Sequence, residues 1–262
     1  MSKLLGRLTL GAICGFIALW LVAPTLVIIP MSFADRQSLA FPPTGFSLQW
    51  YKNIFTDAAW SGSLWTSIKI GSVVAVLATA IGAMAALGIH RMQSRAGAVI
   101  RLMLLTPIII PGVVLAVGIY AVCLQTHMVG TYSGFILAHT LLAIPFVIIA
   151  VGASLAMFDN RLETAAASLG ASKLSTFFSV TVPLIMPGLV SGAIFAFVTS
   201  FDEVVVSLFI ASPQIKTLPV QIYSSMTRDS DPTVAAIGTL MFAATLLAVS
   251  ASFFFSSKGR KS

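Results

Sequence analysis

The sequence predicts an all-α membrane protein with six transmembrane helices, on three observations. Hydrophobic residues make up 58% of the 262 residues and charged residues only 9%, against about a quarter charged in an ordinary soluble domain. Several apolar runs exceed the roughly 18 residues at which a helix can span a bilayer. None alternates with the period of a barrel strand, and lipid offers no partner for backbone N–H and C=O groups, so each spanning run must be helical.

Six such runs follow in order, at roughly 8–33, 64–89, 100–124, 133–157, 184–210 and 234–255. Lys3 and Arg7 precede the first as in a signal peptide. The run is longer than a signal-peptide core and no small-residue cleavage site follows a short one, so it reads as a retained helix. An even number of spans puts both termini on one side. Lys3, Arg7, Arg91, Arg95, Arg101, Arg161, Lys173, Lys258, Arg260 and Lys261, ten of the fifteen basic residues, fall there, which marks that side as cytoplasmic. Arg36, Lys52, Lys69, Lys216 and Arg228 on the other side are offset by Asp35, Asp57, Asp229 and Asp231. The net charge of +7 is therefore topology and not a nucleic-acid footprint.

Smaller features fit this plan. Cys14 and Cys123 lie inside apolar runs and read as small hydrophobes, with no disulfide framework. Trp50, Trp60 and Trp65 cluster at the outer end of the second run, where amphipathic rings favour the interface. Segments 46–55 and 218–226 are too apolar for tethers and predict short helices on the outer face, unless they only seal the rim of the bundle. Small residues recur four apart at Gly11 and Gly15, at Ala78, Gly82 and Ala86, and at Gly188 and Gly192, a spacing that lets helices approach closely.

The connection between the fourth and fifth runs, about 25 residues over 158–183, is longer than most helix connections. Residues 162–169 are strong helix formers, and Gly170 stands where only glycine enters the left-handed cap freely. A second helix fits 172–180, and Pro183 opens the next span where its missing N–H is harmless. A short helix held across a membrane loop can insert into a groove on another protein. The same pattern also suits a plain amphipathic connector.

Asp202 and Glu203 are the carboxylates predicted deep within a span, where a charge costs several kcal/mol unless it faces protein or water. A helical wheel puts Gly192, Ala196, Thr199, Ser200, Glu203 and Ser207 on one stripe, with Asp202 about 100° away. Either Glu203, with Ser200 and Asp202, meets a cationic or zwitterionic solute in a water-filled cavity, or the carboxylates are paired, for example with Lys69. Pro107, Pro111 and Pro145 predict kinks. His90, His127 and His139 lack metal-ligand spacing, no Ser, His and Asp arrangement stands out, and no GxxxxGK[ST] loop occurs. The expectation is no enzyme, no metal site and no cofactor bound by this chain.

Ala165, Ala166, Gly170, Val180, Val182 and Pro183 resemble the EAA loop of permease subunits of ATP-binding-cassette importers. Thr164 stands at that motif's glutamate, with Glu163 one residue early. The resemblance implies one permease domain over 1–262 with the importer type I fold: a peripheral first helix at 8–33, core helices over 64–255 and a cytoplasmic coupling loop at 158–183. Glu163, Thr164, Ala165, Ala166, Gly170 and Pro183 would then couple to an ATPase. It also implies a second homologous permease, two ATPase subunits carrying ATP and Mg, a periplasmic solute-binding protein and a bacterial inner membrane. Segments 200–209, 217–219 and 231–236 resemble the polyamine (spermidine/putrescine) branch, which implies Trp50, Asp202 and Glu203 along the substrate path, beside Ser200 from the reading of the stripe. Gly112 and Val113 follow Pro111 where that branch places an acid, so an opine, 4-aminobutyrate or another amino acid derivative stays open as solute. The rival class is a self-sufficient secondary carrier, against which stand the loop and the lack of inverted-repeat hydropathy.

Overall fold

A chain surrounded by lipid must satisfy its own backbone, and the computed structural model describes a helical chain over residues 2–92, 94–228 and 230–258. Asp229, Arg260 and Lys261 lie outside the described residues. The helices are α1 (Ser2–Met31), α2 (Gln49–Thr56), α3 (Ala58–Arg91), α4 (Arg95–Ile109), α5 (Gly112–Gln125) and α6 (Tyr132–Ala156). There follow α7 (Arg161–Ser168), α8 (Lys173–Thr176), a π-helical segment (Phe177–Thr181), α9 (Val182–Phe201), α10 (Val205–Ile210), α11 (Leu218–Arg228) and α12 (Thr233–Lys258). Among the described residues, four paths are long and apolar enough to cross a membrane: Thr9–Met31, α3, α6 and the continuous run Lys173–Phe201. The pair α4 and α5 passes the same test together, and α12 is apolar over Thr233–Leu247.

Two predicted spans are revised. The third is two helices bent by 100° at their junction, because a residue before proline is pushed out of the helical region. Ile110, at φ −72° and ψ 134°, is extended just ahead of Pro111. Pro107 and Pro145 lie inside helices that continue past them. The fifth span stops at Phe201 and resumes only at Val205, so the helical stripe drawn through Glu203 does not exist.

The separate helix expected at 172–180 is also revised. Its residues form the first turns of the fifth helical path, started by the Ser172 hydroxyl, which accepts the Ser175 N–H at 3.2 Å. The π-helical turn precedes Pro183. Its wider spacing moves away the carbonyl that the proline ring would otherwise meet. Short helices form over the two segments expected to hold them, as α2 and α11.

The chain forms two compact units. In the unit of residues 62–221, α6 is the central helix, with Phe135, Ala143, Val147 and Val151 fully buried. Glycines bring its neighbours close. A Cβ at Gly82 of α3 would lie 2.7 Å from the Val147 Cβ, one at Gly192 of α9 would lie 3.2 Å from the Val147 Cγ1, and one at Gly188 would lie 2.9 Å from the Ala150 carbonyl. By contrast, Gly11 and Gly15 have nothing within 4 Å. In the unit of residues 1–61 with 222–262, α12 packs against α1 and α2. Asn53 donates to the Thr233 hydroxyl at 3.0 Å, and the Trp60 indole N–H donates to Asp231 at 3.0 Å. Trp60 is thereby packed inside, at 3% exposure, and not spread on an interface as its sequence position suggested, whereas Trp65 is 59% exposed.

Replacing Gly188 with Leu would push α9 off α6 and is expected to destabilise the purified protein by about 1–3 kcal/mol. Gly118→Ala, where nothing lies within 4 Å, should leave the unfolding transition in place. Equal midpoints for the two variants in detergent would contradict the glycine contact.

Candidate functional site

The loop between α6 and α9 is shaped by its end residues. Asp159 accepts the Arg161 N–H at 2.9 Å and so starts α7. At the other end Gly170 takes φ +84°, the Gly170 N–H reaches the Ala167 carbonyl at 3.0 Å and the Ala171 N–H reaches the Ala166 carbonyl at 3.1 Å. That bond pair is a Schellman closure, in which a left-handed residue satisfies the last helical carbonyls. The helix end expected at Gly170 is therefore present. Thr164 and Ala165 are exposed, and Ala166 is half-buried. Leu169 is 89% exposed, so α7 shows small and apolar side chains outward.

Glu163 faces inward instead. Arg91, at the C-terminal end of α3, donates to its two carboxylate oxygens at 3.1 and 3.4 Å. The buried Thr181 hydroxyl, in the π-helical turn, donates to the same carboxylate at 2.6 Å. An exposed ion pair is worth only about 0–1 kcal/mol, and Arg91 is 62% exposed. The Thr181 bond, made to a charge, adds about 1.5–3 kcal/mol. The arrangement therefore contributes position more than stability: one carboxylate ties the loop helix to two helices of the bundle. Sequence reasoning missed it, since Arg91 and Glu163 are 72 residues apart and no local pattern pairs them.

The second group of predicted residues sits at the break between α9 and α10. Asp202 ends α9, its N–H bonded to the Val198 carbonyl at 3.0 Å, and its side chain is exposed. Glu203 is half-buried, and its carboxylate accepts the Val206 N–H at 2.8 Å, starting α10 where no intrahelical acceptor exists. Neither carboxylate has an ion-pair partner among the described residues, and Lys69 is exposed. Ser200 is buried, and its hydroxyl meets His139 Nδ1 at 2.8 Å. The other ring nitrogen, Nε2, meets the Ser207 hydroxyl at 3.0 Å. One fully buried histidine of α6 thus holds both flanks of the break. The sequence contained the signal only as a polar residue in an apolar run and two serines seven apart.

Trp50 lies in the other unit. Its indole N–H donates to the Ala34 carbonyl at 2.6 Å, which ties α2 to the end of α1.

Membrane-length helices, a tethered but outward-facing loop helix and a polar break held inside apolar helices define a multi-span transport subunit. Residues 78–259 match the family described as binding-protein-dependent transport system inner membrane component, and the chain belongs to that family. It is 31% identical over 231 residues to the spermidine/putrescine transport system permease protein PotC of Haemophilus influenzae, covering 88% of this chain and 89% of that protein. It is 29% identical over 232 residues to the putrescine transport system permease protein PotI of Escherichia coli K12, covering 86% and 82%. In fold it matches a chain of a bacterial ABC transporter involved in the import of the acidic polysaccharide alginate, at a TM-score of 0.71 and 14% identity over 98% of this chain and 97% of that one. The protein is thus an importer permease subunit and not an enzyme.

Replacing His139 with Leu leaves the buried Ser200 and Ser207 hydroxyls without these partners, at about 1–3 kcal/mol for each orphaned group. The expected result is a clearly lowered unfolding midpoint, partly restored when both serines are also changed to Ala. A single-variant midpoint equal to wild type would contradict the clamp.

Proposed function

We propose that this chain carries a small cationic solute of the polyamine type across a bacterial inner membrane, driven by an ATPase docked on α7. The observation that carries the reading is the double character of α7, which is exposed on one side and tied by Glu163 to α3 and to the start of the fifth helical path on the other. A helix so held can pass a push from a partner to two helices at once. Glu163 then acts inside the chain, and Thr164, Ala165, Ala166 and the turn at Gly170 form the docking surface. A second homologous permease, two ATPase subunits holding ATP and Mg, and a periplasmic solute-binding protein complete the assembly in this reading.

Six spans with both termini cytoplasmic fit the geometry if α4 and α5 are one broken crossing. The Arg91 and Glu163 contact supports this, because it brings the end of α3 and the loop after α6 to one face. With α6 of spanning length, its start would lie on the opposite face, which supports a crossing between Arg91 and Tyr132. Neither α4, with 15 residues, nor α5, with 14, reaches the roughly 20 residues of a full span alone.

The solute assignment is supported by the polyamine transport named in the two relatives and by the carboxylates of Asp202 and Glu203, which have no ion-pair partner among the described residues. An opine, 4-aminobutyrate or a similar amino acid derivative is the second reading, favoured by Gly112 and Val113 after Pro111, where the chain offers no third carboxylate.

Valine at Gly170 would have to hold a positive φ at about 1–3 kcal/mol of strain, so Gly170→Val is expected to lower ATP-driven uptake about tenfold with normal membrane insertion. Unchanged uptake would argue against docking at this turn. Glu203→Gln keeps an oxygen to accept the Val206 N–H and removes only the charge. Uptake of labelled putrescine should fall about tenfold or more, the worth of a hydrogen bond to a charged group. Unaltered uptake would leave Glu203 as a helix start alone. Transport by the chain in vesicles without any ATPase would sink the importer reading itself.

A further inference from the structure

The end of α3 and the first turns of α4 line an open groove of about 780 Å³ that the transport reading does not use. Its walls are of two kinds. Arg95 and Arg101 supply two guanidinium groups, and Ile89, Leu102 and Leu105 supply an apolar floor. Both arginines are exposed, and neither has a hydrogen-bond or ion-pair partner among the described residues. Leu102, on the same helix, is 61% exposed.

A smaller cavity of about 90 Å³ shares Ile89 and Arg101 with the groove and is also lined by His90. The His90 Nε2 atom is buried with no hydrogen-bond partner. A buried polar atom without a partner in a cavity beside a free guanidinium calls for a ligand or water to satisfy it.

We infer that this groove binds an anionic glycerophospholipid, with its phosphate on Arg95 and Arg101 and the start of an acyl chain over Leu102 and Leu105. The charge complementarity selects the headgroup. Guanidinium forks match phosphate oxygens in pairs, and basic pockets beside membrane helices hold anionic headgroups. The apolar floor selects lipid over free phosphate, which would gain nothing from exposed leucines. The position selects lipid again, since α3 ends and α4 begins where membrane-length apolar helices give way to basic residues. The inference rests on the membrane setting of these helices and on no coupling role for α7.

The test uses the assembled importer in detergent, with dioleoyl phosphatidylglycerol and dioleoyl phosphatidylcholine titrated separately and bound lipid counted by native mass spectrometry. Phosphatidylglycerol should bind more tightly than phosphatidylcholine. Replacing Arg95 and Arg101 together by Gln should weaken phosphatidylglycerol about thirtyfold, at the worth of a basic residue beside an anionic leaflet, without changing phosphatidylcholine. Leu102→Trp, which keeps both charges and fills the floor, should also weaken it. That variant carries the test if the double Gln variant does not assemble. Equal binding of the two lipids, or undiminished phosphatidylglycerol binding in either variant, overturns the proposal. Loss of a partner subunit from the double variant with lipid binding intact would give the groove to a protein instead.

Discussion

Every helix interruption in this chain must be repaired from within, because lipid supplies neither donors nor acceptors to a broken backbone. The interruptions are the extended turn at Ile110 and Pro111, the π-helical turn before Pro183 and the gap between Phe201 and Val205. At the first and the last, a local group closes the ladder. The Ile110 N–H reaches the Thr106 carbonyl at 3.1 Å, and the Val114 N–H reaches the Pro111 carbonyl at 2.9 Å. Glu203 receives the Val206 N–H. The last repair uses a charged side chain, and His139 secures both of its flanks. Irregular backbone at membrane depth is tolerated only inside protein or along a water-filled cavity, so the gap marks where such a cavity is to be sought.

The loop helix follows a different economy. Its ends are closed by Asp159 and by the turn at Gly170, and one inward carboxylate connects it to the bundle. Because that carboxylate bonds both to Arg91 and to Thr181, a displacement of α7 cannot leave α3 and the π-helical turn where they were without breaking bonds to a charge. In the proposed coupling, the close glycine contacts around Val147 would pass such a shift onward, since packed helices slide or turn as units and do not deform smoothly. A glutamate one residue away from the family position is thereby put to use inside the chain.

Much of this was legible in the sequence where one residue type has one physical reason. Gly170 ended its helix because a positive φ favours glycine, and the apolar runs became helices because nothing else survives in lipid. Gly82, Gly188 and Gly192 proved to be close contacts, as their spacing suggested. The gap after Phe201 was only half legible: Asp202 and Glu203 stood out in an otherwise apolar run, but a helical wheel drawn through them looked consistent. Among the three prolines expected to kink, only Pro111 broke its helix, and no local difference in sequence separated it from Pro107 and Pro145. The contacts of His139 with two serines and of Glu163 with Arg91 join residues 61 to 72 positions apart, beyond any periodicity. Trp60 misled for the same reason, its interfacial look hiding a buried ring bonded to Asp231.

The most direct measurement is a photo-crosslink from the outward face of α7. A benzophenone amino acid placed at Leu169, which is 89% exposed, is incorporated in the full importer and irradiated, with Phe178, 61% exposed in the π-helical turn, as the control position. An adduct of the ATPase subunit from position 169 and none from position 178 is expected. Adducts of the ATPase from position 178 or from elsewhere on the chain, with none from position 169, would contradict docking on α7.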